Sequence, residues 1–409
     1  MTASIDRWAE VYRDVHAHPE LGFAETRTAG IVESHLVSMG FEVTTGVGGT
    51  GVVGLCRNGP GPTVLVRADM DALPVLEATG LPYSSTQVTT DADGNQTAVM
   101  HACGHDLHVA CLLGACERLG QSRDTWSGTL MAVFQPAEEL GDGARAMIDD
   151  GLYARFGKPV VVLGQHVAPI PAGVIGLHAG VAFAAADSLK VTLHGQGAHG
   201  SRPETSVDPI VMAAATVLRV QTIVSREVPA GESAVVTIGT LHAGTATNII
   251  PDQAELGFSI RTFSSDVRDQ VLAAIERIAR GEAATAGAPR PPDIELAESF
   301  PAVINDEAAC ARTRPALQSV SPIVVDPGPV TGSEDVGLLA SAAGAPCVYW
   351  LLGGADPAGF AGAATVGEIA ARSNDLPSNH SPLFAPVIEP TLPTGIEALT
   401  AAAQTWLQH

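Results

Sequence analysis

The segment MHACGHDLHVACLLGACERLG, residues 100–120, holds three histidines and three cysteines. Three kinds of chemistry use such a set: a disulfide framework, a cysteine nucleophile and a metal site. The six cysteines of the 409-residue chain are few and scattered, which favours reduced thiols and argues against a disulfide framework. Cys111 and Cys116 stand in an apolar run and are interpreted as small buried hydrophobes, whereas Cys103 has polar neighbours.

Other polar side chains follow three apolar runs that are typical of buried strands. Those that come after TVLVR, TLMAVF and VVVLG are, in chain order, Asp69, Asp71, Glu138, Glu139 and His166. Ligands bind beyond the carboxyl ends of the strands in open parallel sheets, so we expect these side chains at one rim. The CGHD segment opens a helix that could face this rim, and His380 in the loop SNHSP could complete the site.

The residues at this rim suggest a metal centre. The predicted ligands are Cys103, His105, Glu139, His166 and His380. Mixed sulfur, nitrogen and oxygen donors suit zinc or another borderline divalent ion, and five donors exceed the needs of one tetrahedral ion, so the set points to a two-metal site. Asp71 is expected to orient a ligating imidazole from behind.

Plainer interpretations exist for several of these side chains. Asp69 could be a helix cap or a solvated turn acid. His101 and His108 are expected to have structural or supporting roles, and His16 and His18 are expected to be ordinary surface or packing residues. At this point Cys103 remains open as a nucleophile, with a histidine as its partner.

The predicted elements that position these residues alternate between strands and helices. Strands are predicted at 63–67, 129–134, 160–164 and 347–352, with helices between them, which is typical of a mostly parallel sheet with helices on both faces. From 187 the pattern changes to strand-helix-strand-strand-helix-strand over about 110 residues. The fold class is therefore α/β, with an inserted smaller α+β domain of split β-α-β, ferredoxin-like type.

Length and charge exclude several classes of protein. A chain of 409 residues predicts two domains, and a net charge of −22 should repel nucleic acid and anionic membranes. The N-terminus lacks the pattern of a signal peptide, and no apolar run reaches the roughly 18 residues of a membrane span. We therefore expect a soluble, cytoplasmic protein that binds neither nucleic acid nor membranes.

Eight motifs, read in order, resemble those of the M20 metallopeptidase family. They are RADMDALP, HACGHDLH, FQPAEE, GQHV, GQGAHGSRP, TNIIP, GSEDVG and NHSP. The resemblance covers nearly the whole chain. It is closest to the amidohydrolase branch, which contains N-acyl-amino-acid amidohydrolases (aminoacylases), hippurate hydrolases and auxin-conjugate hydrolases.

This resemblance implies a di-metal catalytic domain formed by 1–186 and 298–409, with a lid and dimerisation domain at 187–297. It implies the same five metal ligands, and it makes Glu138 the general base, with Asp71 beside it in the catalytic set. The two divalent ions could be zinc, manganese, cobalt or nickel. Asp69 stands where other branches of the family have a metal-binding histidine. The identity of the metal in the zinc peptidases therefore cannot be assigned directly to this chain.

The resemblance also assigns roles in the inserted domain. His199 looks like the histidine that stabilises the oxyanion in the partner subunit's active site, and Asn248 would assist it. Arg261 resembles an arginine that pairs with the α-carboxylate of the substrate, and Gly332 and Ser333 would line the same pocket. A homodimer formed through the lid is therefore expected.

The expected reaction is hydrolysis of a small N-acyl-amino acid to a carboxylic acid and a free amino acid, by a metal-activated water. A dipeptidase or carboxypeptidase of the same family is the first alternative. A hydrolase with Cys103 as its nucleophile and a non-catalytic binding protein are the others.

Overall fold

The computed structural model describes residues 2–90, 94–363 and 365–407. The chain forms two compact units. The second unit comprises Phe183–Val303 and Val330–Glu334, and the first unit comprises the rest of the described chain. The insertion predicted over 187–297 lies inside the second unit, and its roles as a lid and as a dimerisation domain stay predictions.

Helices and strands alternate along most of the described chain. The helices are α1 (Thr2–Ala17), α2 (Thr26–Ser38), α3 (His105–Gln121), α4 (Gly143–Asp149), α5 (Leu152–Phe156), α6 (Pro209–Thr222), α7 (Ser265–Ala286), α8 (Glu307–Val320), α9 (Val336–Ala343), α10 (Val366–Ser373) and α11 (Ile388–Leu407). The strands are β1 (Glu42–Val47), β2 (Gly51–Asn58), β3 (Thr63–Asp69), β4 (Val88–Thr90), β5 (Gln96–Ala98), β6 (Gly128–Gln135), β7 (Val161–Pro171), β8 (Val174–Gly176), β9 (Gly180–Phe183), β10 (Ala185–His194), β11 (Ala198–His199), β12 (Ala234–Ala243), β13 (Ile249–Ile250), β14 (Gln253–Thr262), β15 (Asp293–Phe300), β16 (Val303–Asn305), β17 (Ile323–Val325) and β18 (Cys347–Ala355).

The first unit is built on a mixed, mostly parallel sheet. Among the described residues its eight strands lie in the order β1-β2-β6-β3-β7-β18-β8-β17. The central strands β6, β3, β7 and β18 are parallel to one another, and β2 and β8 join them antiparallel. This architecture confirms the predicted α/β class.

Strand β3 shows why the central strands of this sheet have continuously apolar sequences. Successive side chains of a strand point to opposite faces. Val64 and Val66 belong to the core that α1, α3 and α11 cover, and Leu65 between them is equally buried on the other face. A strand covered on both faces leaves no position for exposed polar residues until it ends, which is where Asp69 appears.

The carboxyl ends of the parallel strands meet at one edge of the sheet. Asp69, the last residue of β3, pairs with Gln135, the last residue of β6. Strand β7 is longer than the sequence predicts, because the chain stays extended and pairs with β18 well beyond residue 164. His166 therefore lies within β7, opposite Leu351, and does not follow the strand as expected.

The second unit has its own sheet and core. Strands β12-β14-β10-β15 form an antiparallel sheet, in which β10 and β14 are central and β12 is an edge. In β14, Ala254, Leu256, Phe258 and Ile260 are buried at every second position and share a core with residues of α6 and α7. This is the split β-α-β order that the alternating pattern predicts.

Crossing a bilayer takes a helix that is both long and strongly apolar, and the described part of the chain contains none.

Candidate functional site

The first part of the candidate site lies at the amino end of α3. Cys103 and His105 flank Gly104, whose φ is 86°. A Cβ at this glycine would lie 2.3 Å from Cγ1 of Val167 on β7. Only glycine suits both the left-handed backbone and this close approach, so Gly104 lets both flanking side chains reach the strand ends.

The turn after β6 supplies two carboxylates. Ala137 has a φ of 46°, which is unusual for a residue with a Cβ, and Glu138 and Glu139 follow it. The Glu139 N–H donates to Oδ2 of Asp71, at 2.9 Å. This bond links the turn after β6 to the turn after β3 and places both glutamates at the carboxyl edge of the sheet.

The loop before α11 closes the site from the other side. Asn379 Nδ2 donates to the carbonyl oxygens of Cys103 and Val167, both at 3.1 Å. The His380 N–H donates to Ala102 O at 2.8 Å, and His380 itself has a φ of 71°. Asn379 therefore links the segments that carry three of the predicted ligands, Cys103, His166 and His380.

The five predicted metal ligands converge at this edge. Their donor atoms form overlapping groups of three, within 4.8 Å of one another in each group: Cys103 with His105 and His166, and Cys103 with Glu139 and His380. Sγ of Cys103 lies 3.5 Å from Nε2 of His166, and Nε2 of His380 lies 3.2 Å from Oε2 of Glu139. His105, Glu138 and Glu139 form a third such group.

Two buried atoms in this cluster are left without a hydrogen bond among the described residues, Nε2 of His105 and Oε1 of Glu139. They lie 3.8 Å apart, and a carboxylate oxygen of Glu138 is also 3.8 Å from the same nitrogen. Buried polar atoms are rarely left unpaired unless an ion or water completes them. A cation between these atoms would satisfy both, so the donor set fits a metal.

The charge of the site also fits a cation. Burial lowers the pKa of His105, but Asp69 and the hydrogen bond to Asp71 outweigh burial and raise this pKa to about 10. Burial, and then the charges of Glu139 and Glu138, raise the pKa of the Cys103 thiol well above its usual value. The cluster thus holds excess negative charge, and Cys103 without a cation is a neutral thiol and not an activated nucleophile.

A second layer of carboxylates orients the ligands. Asp71 Oδ1 lies 3.1 Å from Nδ1 of His105, which turns Nε2 of that ring towards the cluster. Asp69 is fully buried and pairs with Arg67 and with Nδ1 of His108, the latter at 2.6 Å. His108 Nε2 accepts the Val167 N–H at 2.8 Å. Asp69 is therefore neither a helix cap nor a solvated turn acid.

The remaining predicted site residues all belong to the second unit. His199 on β11 pairs with Ile249 on β13, and its Nδ1 accepts the Ser201 N–H at 3.1 Å, which places the ring proton on Nε2. Asn248 is exposed and accepts the Gly200 N–H through its backbone oxygen at 2.7 Å.

Arg261, on β14, donates to Ile260 O at 2.9 Å and to Oγ of Ser259 at 3.2 Å. Within the described residues no hydrogen bond or ion pair joins it to His199 or Asn248. Gly332 is exposed and accepts the Ala184 N–H at 3.0 Å, and Ser333 is half-buried. The roles given to these side chains stay predictions.

Several supporting residues are not apparent from the sequence. Arg67 is buried and pairs with both Asp69 and Asp335, and Asp335 also accepts the Ala144 N–H at 3.0 Å. A charged residue that closes the apolar run TVLVR, before the strand has ended, is the signal that could have revealed Arg67. Asn379 has a weaker signal, its place beside His380.

His16 differs most from its sequence-based interpretation as a surface or packing residue. It is fully buried, with Nδ1 2.6 Å from Asp106 and Nε2 3.1 Å from Glu77. Burial lowers the pKa of His16, but these two carboxylates outweigh burial and raise it to about 10. His16 therefore anchors the first turn of α3, where the site begins, to α1. His18 is half-exposed and bonds the Asp14 carbonyl oxygen at 2.8 Å.

Comparison with known proteins decides the family. Residues 65–368, most of the chain, match peptidase family M20/M25/M40. The chain belongs to this M20 family. This M20 protein is 37% identical over 331 residues to N-acetyl-L-cysteine deacetylase of Bacillus subtilis (strain 168), covering 80% of this chain and 75% of the relative.

Two further comparisons are with a carboxypeptidase and with a solved structure of the M20 family. It is 36% identical over 356 residues to thermostable carboxypeptidase 2 of Saccharolobus solfataricus, covering 85% of this chain and 86% of that protein. The crystal structure of the Bacillus subtilis YxeP protein, described as a dinuclear metal binding peptidase from the M20 family, matches with a TM-score of 0.79 and 29% identity. That match covers 100% of this chain and 99% of the YxeP chain.

These comparisons confirm the resemblance drawn from the eight motifs, including its amidohydrolase branch. Family membership, together with a donor set that fits a cation, makes this M20 protein a metal-dependent hydrolase of amide bonds.

Proposed function

We propose that the protein hydrolyses the amide bond of N-acyl-amino acids, giving a carboxylic acid and a free amino acid. The observation that carries this proposal is the cluster of five potential metal ligands beside Glu138, in which Cys103 and His105 are buried and His380 is exposed. The similarity to a deacetylase of N-acetyl-L-cysteine supports an acylated amino acid as the substrate class.

Two divalent ions would be held by the five ligands, which are Cys103, His105, Glu139, His166 and His380. The overlap of their groups of three, and the dinuclear description of YxeP, support two ions over one. Mixed thiolate, imidazole and carboxylate donors suit zinc, manganese, cobalt or nickel. When bound, such ions polarise the amide carbonyl and make a water molecule acidic near neutral pH.

Glu138 is the proposed general base. Its side chain is 6% exposed, and a carboxylate oxygen lies 3.8 Å from Nε2 of the ligand His105, so it faces the same space as the ligands. It would take a proton from the attacking water and then give a proton to the leaving amine. Asp71 would keep the His105 ring in place through its hydrogen bond to Nδ1.

The second unit would bind the substrate and stabilise the oxyanion. His199 has its ring proton on Nε2, which can donate to the oxygen that gains charge as the carbonyl is attacked, with help from Asn248. Arg261 would bind the carboxylate of the amino acid product, because a guanidinium can bind a carboxylate with two parallel bonds. Gly332 and Ser333 would line this pocket.

A homodimer formed through the second unit would bring His199 to the partner subunit's active site. Helix α6 supports this proposal, because Val211 and Leu218 on its outer face are 64% and 75% exposed. Edge strand β12 also presents Val235 and Leu241, which are 44% and 45% exposed. Exposed large apolar side chains on a helix and on an unpaired strand edge are what an interface through this unit would cover.

A carboxypeptidase or dipeptidase is the second candidate, supported by the similarity to thermostable carboxypeptidase 2. The two functions differ in the group on the acyl side of the scissile bond. An amidohydrolase takes an uncharged acyl group there, whereas a peptidase takes an amino-acid residue whose amino group is free or is joined to further residues. A substrate panel separates them: N-acetyl- and N-benzoyl-amino acids against dipeptides and N-blocked dipeptides, with each divalent metal added in turn.

We expect kcat/KM for the best acyl-amino acid to exceed that for every dipeptide by at least about tenfold, a difference of about 1.4 kcal/mol in transition-state binding. A dipeptide as the best substrate would overturn the proposal in favour of the peptidase. Full activity after complete chelation would overturn both and favour Cys103 as a nucleophile.

A further inference from the structure

Glu25 stands at the start of α2 but does not cap this helix. It occupies the N-cap position, yet its side chain makes no capping hydrogen bond. The backbone N–H groups of Arg27 and Thr28 donate instead to the carboxylate of Glu20, both at 2.9 Å. The helix start is therefore satisfied without Glu25, whose carboxylate is fully buried and committed elsewhere.

The partner of Glu25 is the turn that carries the two glutamates of the site. Oε1 of Glu25 accepts the N–H of Ala137, 112 residues along the chain, at 2.8 Å. Oε2 accepts the hydroxyl of Thr50. A buried carboxyl oxygen that accepts one particular backbone N–H is a directional restraint, because leaving either group unpaired would cost free energy.

Ala137 is the residue of that turn that most needs a restraint. Its φ of 46° lies in the left-handed region, which disfavours any residue with a Cβ. Glu138 and Glu139 are the next two residues, so a change in the Ala137 backbone would redirect both carboxylates. On the other side, a Cβ added at Gly22 would come within 3.2 Å of Cα of Ala137, so the segment before α2 also packs against this turn.

We infer that Glu25 is a positioning residue: its carboxylate holds the Ala137 backbone in the left-handed conformation and thereby aims Glu138 and Glu139 at the metal site. This inference rests on the proposed function for the roles of the two glutamates. It adds a buried carboxylate that touches neither substrate nor metal but supports both catalysis and metal binding.

The test compares Glu25→Ala with Glu20→Ala, which removes a carboxylate from the same region and leaves the Ala137 bond intact. Both variants should unfold at a lower temperature. Glu25→Ala should also lose about 10–100-fold in kcat on an N-acyl-amino acid, as expected for a displacement of about 1 Å at a catalytic group, with KM changed less than about threefold. Glu20→Ala should keep its kcat within about threefold.

A second readout does not depend on turnover. Metal-free protein is titrated with Co²⁺ and the visible absorption band of the bound ion is followed. Glu25→Ala should bind Co²⁺ about 10–100-fold more weakly, the usual effect of losing a residue that supports a metal ligand. Amide hydrogen exchange should also be faster in the peptide that contains Ala137 in this variant, and not in Glu20→Ala.

Two further variants keep the test decisive if Glu25→Ala does not fold. Glu25→Gln retains an acceptor for the Ala137 N–H and should keep kcat and Co²⁺ affinity within about threefold of wild type. In an Ala137→Gly background the left-handed backbone carries little strain, so adding Glu25→Ala should lower kcat by less than about threefold relative to Ala137→Gly alone, a comparison that does not need the Glu25→Ala single variant to fold.

The inference is overturned if Glu25→Ala lowers only the unfolding temperature, as Glu20→Ala does, or if the effects of the Glu25 and Ala137 changes simply add. If wild-type protein fails to hydrolyse acyl-amino acids, the proposed function fails. The Co²⁺ titration and the amide exchange would still decide the role of Glu25.

Discussion

Replacing Glu138 with glutamine should separate catalysis from metal binding. Glutamine has the same shape, so it should fill the almost fully buried position without disturbing its neighbours. Its amide cannot take a proton from water. Loss of a general base slows a reaction by about 10²–10⁴-fold, which corresponds to about 3–5 kcal/mol of activation free energy. Metal content should stay at the wild-type value.

Glu139→Gln is the matched comparison, because the two residues are adjacent and similarly enclosed. Oε2 of Glu139 lies 3.2 Å from the predicted ligand His380, and Oε1 is buried without a hydrogen bond within the described chain. Glutamine at 139 removes the negative charge and one oxygen donor from that space. This variant should lose at least one of the two bound ions, and activity should fall with the metal.

The assay is elemental analysis of each purified variant by mass spectrometry, followed by kcat and KM with and without added metal. Circular dichroism should show both variants folded. The reasoning is refuted if Glu138→Gln loses metal while Glu139→Gln keeps both ions and loses only turnover, because the two roles would then be interchanged.

Three other perturbations test separate parts of the site. Cys103→Ser should lower the metal content, because it replaces a soft thiolate among oxygen and nitrogen donors; full metal occupancy without activity would favour the nucleophile instead. Subunits with His199→Ala and subunits with Glu138→Gln, nearly inactive alone, should regain about a quarter of wild-type activity when refolded together, since half of random dimers are mixed and each has one complete site. Mixed dimers proven by mass spectrometry but still inactive would argue against a shared site. His16→Gln should destabilise the protein by about 3–5 kcal/mol at pH 6, since it leaves two buried carboxylates without their partner. Because the pKa of His16 is raised from 6.5 to about 10, its stabilising effect is complete below pH 6.5 and is lost as the pH rises towards 10. Urea unfolding of the wild type and of His16→Gln at pH 6 and pH 10 measures this loss. A difference in unfolding free energy between the two proteins that is equal at both pH values would contradict the prediction.

The sequence predicts best what local patterns encode. The apolar runs TVLVR and TLMAVF predict β3 and β6, because strands buried on both faces have no exposed positions. The polar residues that follow them predict the rim of the sheet, since parallel strands end on one side. These two rules are enough to bring Asp71 and Glu139 together at one edge of the sheet, whereas His166 lies within β7.

The contacts that the sequence does not predict join partners far apart in the chain. Glu25 meets Ala137 across 112 residues, and His16 meets Asp106 across 90. No periodicity links such pairs, because the two partners belong to different elements of the fold. The length of β7 is unpredictable for a related reason, because its extension beyond residue 164 is set by pairing with β18 and not by its own composition.

Hydrolysis of N-acyl-amino acids by this protein is proposed to depend on metal ions bound by the first unit. The most direct measurement is stepwise reconstitution: protein stripped by a chelator is titrated with a single divalent metal while hydrolysis of an N-acyl-amino acid is followed. We predict no activity in the stripped protein and a rise that reaches its plateau at about two equivalents of metal per chain. Undiminished hydrolysis by protein holding less than about a tenth of an equivalent would contradict the claim.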